Sequence, residues 1–262
     1  MSQIFKRIFF VTFALMVGIL CSTILLSLKL GTTLERGNVI IPSMVEVLYL
    51  VLFAVCCASH VGQRIGLRKT LLSLGAIAMV AFTTEYVGVT TGKIFGYYVY
   101  SDRLQPQILG IPIAIALGWF GISCVGVESF SYFLRRIPRK VGYVIVSAMG
   151  GLLAVSWDLV GDPVNVAAEN WEWLTEGWYF GIPLQNFLGW WILGFITCLI
   201  LIYLTFDEES LKSDAHPHYY VALVYAVLIL QEIVRAIMYG IPSLGIFVVV
   251  AFIPYVMLKA LS

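Results

Sequence analysis

Seven ionisable residues lie within otherwise apolar stretches of the sequence: Glu46, Glu85, Glu128, Asp158, Asp162, Glu232 and Arg235. A charge inside a bilayer is costly unless it faces the interior of a helical bundle, so each of these residues is a functional candidate. Asp158 and Asp162 are four residues apart and therefore share one face of a helix. The spacing of Glu232 and Arg235 favours an ion pair between them.

The candidates for acid and base chemistry are Glu85, Asp158, Asp162 and Asn186. Burial away from water favours the protonated form of a carboxylic acid, which can then donate its proton. Pro163 follows Asp162, which leaves a second interpretation of that residue as a solvated carboxylate at a helix end.

Aromatic residues are concentrated in two segments near these acids, 89–107 and 164–182, which we interpret as long outer loops. A belt of Trp and Tyr at the membrane interface accounts for some of them. Aromatic faces also attract cations, by about 2 kcal/mol when water is excluded. The candidates for lining such a cation pocket are Phe95, Tyr97, Tyr98, Trp157, Trp173, Trp178 and Tyr179.

Acids beside aromatic rings suit reactions that pass through a carbocation on a hydrocarbon. A proton from a desolvated carboxylic acid adds to an isolated alkene, and the rings shield the positive charge that results. Capture of the cation by water is hydration, and capture by a second alkene in the same molecule is cyclisation.

The composition requires a membrane protein. The chain has 262 residues, of which 60% are hydrophobic and 12% charged, with a mean hydropathy of +0.94. Globular proteins average about 25% charged residues. The net charge of +1 excludes the broad basic surface that nucleic-acid binding requires. We predict an all-α, polytopic transmembrane bundle that forms one integral-membrane domain over residues 1–262.

Eight apolar stretches are long enough to span a bilayer, with seven as the alternative count. Ile-Pro dipeptides at 41–42, 111–112, 182–183 and 241–242 precede alternate spans, as expected because proline is favoured where a helix begins. Around two of them, GIPIAIALGW at 110–119 matches GIPLQNFLGW at 181–190 at six of ten positions. Either a helical hairpin was duplicated, or both segments meet the same requirements for starting a helix. The spans are roughly 8–29, 41–60, 70–88, 110–134, 141–162, 183–206, 219–239 and 242–261.

The distribution of basic residues predicts the orientation. Eleven of the 16 Lys and Arg residues fall on the side that carries both termini, which the positive-inside rule assigns to the cytoplasm. Glu85, Asp158 and Asp162 then lie near the outer interface.

No metal site is expected from the cysteines and histidines. All five cysteines occur in apolar runs, where they are typical of small buried hydrophobes. His60 stands apart from His216 and His218, and no spacing among these residues matches a metal-binding pattern.

Three segments carry a family resemblance: TEYVGVTTGKIFGYYVYSDRLQPQILGIPIAIALGW at 83–119, WDLVGDP at 157–163 and WEWLTEGWYFGIPLQNFLGW at 171–190. Through them the chain resembles, over roughly residues 40–240, the membrane carotenoid-biosynthesis family, which includes carotenoid 1′,2′-hydratases and bisanhydrobacterioruberin hydratases. The motif positions are filled by Glu85, Gly92, Phe95, Gly96, Tyr98, Trp157, Asp158, Asp162, Pro163, Trp173, Gly177, Tyr179, Gly181, Pro183 and Asn186.

The resemblance implies a multi-pass protein of the cell membrane that adds water across the terminal isopropylidene double bond of a linear carotenoid. Its partners would be the carotenoid within the bilayer, water and other carotenoid-biosynthesis enzymes. Alkene hydration needs no cofactor, and the sequence has no dinucleotide, phosphate-loop or metal motif. Asp158 or Glu85 would protonate the alkene, and the other of these two, or Asp162, would orient water with help from Asn186.

Three other interpretations stay open. A carotenoid end-group cyclase would use the same protonation step. An intramembrane prenyltransferase is suggested by the DxxxD spacing of Asp158 and Asp162, although segment 164–182 has no Lys or Arg to hold a diphosphate. A proton- or cation-coupled transporter would also need buried carboxylates, but usually near the membrane midplane.

Overall fold

The computed structural model describes residues 2–31, 42–131, 134, 137–205 and 219–241. Within these ranges, six helices are long and apolar enough to cross a membrane, which agrees with the predicted helical membrane bundle. The predicted span 242–261 lies outside the described residues, as do His216 and His218. The helices are α1 (Ser2–Gly31), α2 (Ser43–Thr91), α3 (Ile113–Phe130), α4 (Arg139–Ala167), α5 (Leu184–Thr205) and α6 (Tyr219–Met238).

Helix α2 contains both the second and the third predicted span. Its 49 residues are interrupted at Gly66, whose φ of 77° and ψ of 167° are not helical and are accessible only to glycine. Leu50 and Glu85 line the same cavity, although a straight helix would separate them by roughly 50 Å. The helix therefore turns back at Gly66, which lies between the predicted spans 41–60 and 70–88.

Helix α4 continues to Ala167, so the predicted helix end at Asp162 is wrong. Pro163 lies inside the helix and has no N–H to donate to the carbonyl oxygen of Leu159, four residues earlier. The hydroxyl of Tyr179 donates to that oxygen at 2.7 Å. A side chain from the following segment thus replaces the missing helical hydrogen bond, and Asp162 is buried rather than solvated.

The segments 89–107 and 164–182 are joined by strands that the sequence did not predict. Strand β1 (Tyr98–Tyr100) pairs antiparallel with β4 (Trp171–Trp173), with Tyr98 opposite Trp173 and Tyr100 opposite Trp171. A second ladder joins β2 (Gln107–Ile108) to β3 (Ile111–Pro112). These short ladders are the exception to the predicted all-α fold.

The repeated GIP motif has the same backbone conformation in both copies. Leu109 and Gly110 have φ values of 51° and 78°, and Phe180 and Gly181 have 51° and 81°. Positive φ at both central residues is the signature of a tight type I′ turn, and each turn is closed by pairing of its flanking residues. A proline follows each turn and precedes a helix, α3 or α5. The order helix, strand, turn, helix therefore occurs twice.

Glycines let the central helices approach closely. A Cβ added to Gly126 of α3 would lie 2.8 Å from the Cα of Gly150 in α4, and one added to Gly194 of α5 would lie 2.9 Å from the Cα of Gly151. Small residues at helix contacts are the usual means of packing helices in a membrane. They hold α3, α4 and α5 around the site described next.

Candidate active site

A cavity with about 640 Å³ of empty space, its mouth included, is enclosed by α2 to α6 and by the β1–β4 ladder. Five of the seven tryptophans in the chain contribute to its wall. Its polar groups are the side chains of Glu85, Asp158, Asp162 and Asn186, the hydroxyls of two tyrosines and the indole N–H groups of the tryptophans. Its aromatic side chains are Phe53, Phe95, Tyr98, Tyr100, Trp119, Trp157, Trp171, Trp173 and Trp190.

Asn186 connects the two aspartates of α4. Its Nδ2 donates to Oδ2 of Asp158 at 2.7 Å and to Oδ2 of Asp162 at 2.8 Å. Asn186 lies in the first helical turn of α5, directly after the GIP segment, and its side chain reaches across to α4. All three side chains are almost completely buried.

Asp162 receives two further hydrogen bonds from the ladder. The indole N–H groups of Trp171 and Trp173 donate to its Oδ1 at 2.6 and 3.1 Å. These tryptophans are two residues apart on β4 and therefore point to the same side of the strand. With Asn186, three N–H donors surround the carboxylate of Asp162.

Glu85 has an equivalent environment in the first copy of the helix, strand, turn, helix order. The hydroxyls of Tyr98 and Tyr100, two residues apart on β1, donate to its Oε2 at 2.5 and 3.0 Å. The indole N–H of Trp119 donates to its Oε1 at 3.2 Å. Burial raises the pKa of Tyr98 and of Tyr100 well above the usual value, and the Glu85 carboxylate raises both further, so both hydroxyls keep their protons and act as donors.

Asp158 differs from the other two acids. The side chain of Asn186 donates to its Oδ2, and among the described residues no group donates to its Oδ1. Donated hydrogen bonds stabilise a carboxylate anion. Asp158 is therefore the acid of this site whose ionised form has the least support.

The aromatic wall is continuous next to the acids. The ring centroids of Trp119 and Trp190 lie 4.5 Å apart, and those of Trp157 and Trp190 lie 5.4 Å apart. On the ladder side, Tyr98 and Trp173 are separated by 5.1 Å. A small cation in the cavity would be near several ring faces at once.

The four candidate acid and base residues, Glu85, Asp158, Asp162 and Asn186, all line this cavity, as do the candidate aromatic residues Phe95, Tyr98, Trp157 and Trp173.

The other three aromatic candidates, Tyr97, Trp178 and Tyr179, are not part of the cavity wall. Tyr97 is adjacent to Tyr98 and points the opposite way, as alternate residues of an extended chain do, and is 50% exposed. Trp178 is 76% exposed. Tyr179 contacts the backbone of α4 through its hydroxyl, as described above.

Several residues that line the cavity were not among the candidates predicted from the sequence. Trp119 and Trp190 are the final residues of the two GIP motifs, so the repeat itself was a signal that could have identified them. Tyr100 and Trp171 were detectable as the residues at two-residue spacing from Tyr98 and Trp173. Phe53 had no signal in the sequence.

The remaining buried charges form ion pairs. The predicted pair of Glu232 and Arg235 is confirmed at 2.8 Å, and Arg235 also contacts Glu46 at 2.6 Å. Glu128 pairs with Arg64 at 2.7 Å. Four cysteines are buried as expected, but Cys21 is exposed on α1. Within the described ranges, no group of three or more His, Cys, Asp or Glu residues is arranged to hold a metal ion.

The fold and the site define a helical membrane protein with carboxylic acids enclosed by aromatic rings. The chain belongs to the carotenoid biosynthesis protein family, whose model matches residues 45–255. It is similar to the bisanhydrobacterioruberin hydratase of Haloarcula japonica, with 29% identity over 147 residues. That match covers 55% of this chain and 48% of the relative, so the chain spans about half the length of the protein it matches. No solved structure matches the chain.

Proposed function

We propose that the protein is a carotenoid hydratase, a hydro-lyase that adds water across the terminal isopropylidene double bond of a linear carotenoid to give a tertiary alcohol. The observation that carries this proposal is the cavity in which Asp158, Asp162, Asn186 and Glu85 meet among nine aromatic rings. The similarity to the bisanhydrobacterioruberin hydratase of Haloarcula japonica supports the same reaction. The end group of bisanhydrobacterioruberin, or a related acyclic end group, is the proposed substrate.

Asp158 is the proposed proton donor. Two carboxyl groups that share one amide do not both ionise readily in a buried site, because their charges repel. Asp162 receives three N–H donors and Asp158 one, so the shared arrangement favours the anion on Asp162 and the proton on Asp158. Glu85, the other donor that the sequence left open, also receives three hydrogen bonds, from Tyr98, Tyr100 and Trp119, so the same reasoning favours Asp158 over Glu85.

The reaction begins when the proton of Asp158 adds to the CH carbon of the double bond, which leaves a tertiary cation on the carbon with two methyl groups. Trp119, Trp157 and Trp190 stabilise that charge through their ring faces. A water oxygen then bonds to the cation. The protonated alcohol is a strong acid, so even a well hydrogen-bonded carboxylate such as Asp162 takes its proton, which returns to Asp158 and restores the site.

The position in the membrane belongs to the same proposal. With eight spans and both termini in the cytoplasm of a cell membrane, the cavity would lie near the outer interface. A polyene of carotenoid length crosses a hydrocarbon layer of roughly 30 Å, so its end group would arrive at that depth. Association with other carotenoid-biosynthesis enzymes would then allow the substrate to pass within the bilayer.

The proposal is tested by expressing the gene in cells that accumulate an acyclic carotenoid and analysing the pigments by mass spectrometry. Hydration adds the mass of one water molecule per reacted end, whereas cyclisation by the same acid leaves the mass unchanged. A prenyltransferase would add an isoprenoid unit. An unchanged pigment profile across several acyclic substrates would contradict the proposal and leave the transporter interpretation.

A further inference from the structure

A second cavity, with about 480 Å³ of empty space including its mouth, adjoins the first. Four residues, Leu50, Ile115, Trp157 and Trp171, line both cavities and form the wall between them. Half of the residues that line the first cavity are aromatic, whereas the second cavity combines apolar residues with the polar side chains of Glu46, Asn165, Gln231, Glu232 and Arg235. A chamber with several polar side chains therefore lies next to the proposed reaction site.

Ion pairs hold one side of this chamber in place. Arg235 donates from Nη1 to Glu232 and from Nη2 to Glu46 at 2.6 Å. The other oxygen of Glu46 accepts a hydrogen bond at 2.7 Å from Asn170, in the segment that leads into β4. Both carboxylates thus have cationic or amide partners and do not need a further ligand.

Three other polar atoms at the chamber lack a hydrogen-bond partner within the described part of the chain. Trp157 Nε1, Gln231 Oε1 and Arg235 Nε are buried, and none has a hydrogen-bond partner among the described residues. Their side chains are 8%, 4% and 4% exposed. A buried polar atom without a partner costs about 1–3 kcal/mol. The three residues that carry these atoms all line the chamber, so a small ligand there that both donates and accepts hydrogen bonds would give the atoms partners.

We infer that this chamber holds ordered water and supplies the molecule that captures the carbocation, an inference that rests on the proposed function. Two of the three unpartnered atoms are N–H donors, which disfavours a cation. Two carboxylates beside one guanidinium disfavour an anion. Water is small and neutral, serves as both donor and acceptor, and commonly occupies buried polar cavities where two to four such partners are present.

Trp157 gives the chamber access to the reaction. Its ring is part of the aromatic wall beside Trp190, and it lines both cavities while its N–H has no protein partner. A water molecule held by that N–H would stand at the boundary between the two cavities, and Asp158 lines the first of them. Its oxygen lone pair forms the new C–O bond to the tertiary carbon, and the proton that it loses passes to Asp162.

The inference is tested by measuring how the carbocation divides between capture of water and loss of a proton. In D₂O, Asp158 delivers deuterium to the substrate, and the cation either captures water or loses a proton and returns as a labelled alkene. Gln231→Met removes the acceptor oxygen from the chamber at similar side-chain volume. Thr23→Val is the matched control, because Thr23 accepts from Gln231 Nε2 at 3.1 Å and does not line the chamber. The purified full-length variants are assayed with bisanhydrobacterioruberin, and both products are quantified by mass spectrometry.

Gln231→Met should lower the ratio of alcohol to deuterated alkene by roughly three- to tenfold, the effect of losing one hydrogen bond to the water, while the total of the two labelled products stays within about twofold. Thr23→Val should leave the ratio unchanged. The same ratio of alcohol to deuterated alkene in both variants and the native protein would overturn the water chamber. A fall in deuterium uptake with Gln231→Met would also overturn it. So would a fall in the ratio with Thr23→Val as large as that with Gln231→Met. Absence of both products in the native protein would instead refute the proposed hydratase, and with it the chamber's role.

Discussion

Replacing Asp158 by asparagine tests the proposed acid with little disturbance of the structure. The amide has nearly the same shape as the carboxyl group, and its oxygen can still accept the hydrogen bond from Asn186 Nδ2. The new NH₂ group would occupy the position of Oδ1, where no described residue donates. The new NH₂ group therefore does not face another hydrogen-bond donor among the residues described. We expect the free energy of unfolding to change by less than about 1 kcal/mol.

The catalytic effect should be much larger. A positioned general acid contributes about 10²- to 10⁴-fold to the rate, and asparagine has no proton to give at this step. Asp158→Asn should therefore reduce carotenoid hydration by at least about 100-fold. It should also prevent deuterium uptake into the alkene in D₂O, because protonation precedes both outcomes of the cation.

Asp162→Asn is the informative comparison. Three N–H groups converge on this carboxylate, from Trp171, Trp173 and Asn186, so an amide nitrogen at either position would face a donor. We expect a loss of stability of about 1–3 kcal/mol for each donor left without an acceptor, and a lower melting temperature in detergent. If Asp158→Asn retained more than a tenth of native hydration, or if it unfolded the protein while Asp162→Asn did not, the assignment of acid and anion would be wrong.

Three further changes probe the aromatic wall and the backbone. Trp190→Leu removes the ring between Trp119 and Trp157 and should slow hydration by up to about 30-fold, the equivalent of a 2 kcal/mol cation–ring attraction; unchanged turnover of bound substrate would exclude this ring from the cation pocket. Tyr179→Phe should destabilise the protein by about 1 kcal/mol through the lost hydrogen bond to Leu159, with the product unchanged, and thermal melting would detect it. Gly66→Ala should cost about 1–3 kcal/mol in stability because alanine does not favour the backbone conformation at the α2 reversal; an unaltered melting temperature would refute that explanation.

Much of the fold could be predicted because helix positions in a membrane protein depend on local composition. Ile-Pro dipeptides correctly indicated where α2, α3 and α5 begin, with Pro42 and Pro112 directly before the first helical residue. Asp158 and Asp162 were identified as a pair from spacing alone. The end of α4 was predicted wrongly because Pro163 normally breaks a helix, and only the contact with Tyr179 compensates for it.

It was harder to predict which aromatic residues line the cavity, for a different physical reason. Within an outer segment, strand pairing decides which residues face inward, and that pairing joins positions more than seventy residues apart. The sequence could not distinguish Tyr97 from Tyr98 without knowing that β1 pairs with β4. Once that register is known, Tyr98, Tyr100, Trp171 and Trp173 all face the acids.

The repeated GIP motif relates two acids of the site to each other and leaves the proposed proton donor without a counterpart. Glu85 and Asp162 are counterparts, since each lies near the end of a helix and each accepts hydrogen bonds from two aromatic residues of the strand that follows. Four residues before Asp162 is Asp158, whereas four residues before Glu85 is the buried Ala81. In the GIP motif, the position of Asn186 is taken by Ile115 in the first copy. The two symmetric carboxylates therefore anchor the β1–β4 ladder over the cavity, and the second copy alone adds the less supported acid and the amide that the proposed protonation requires.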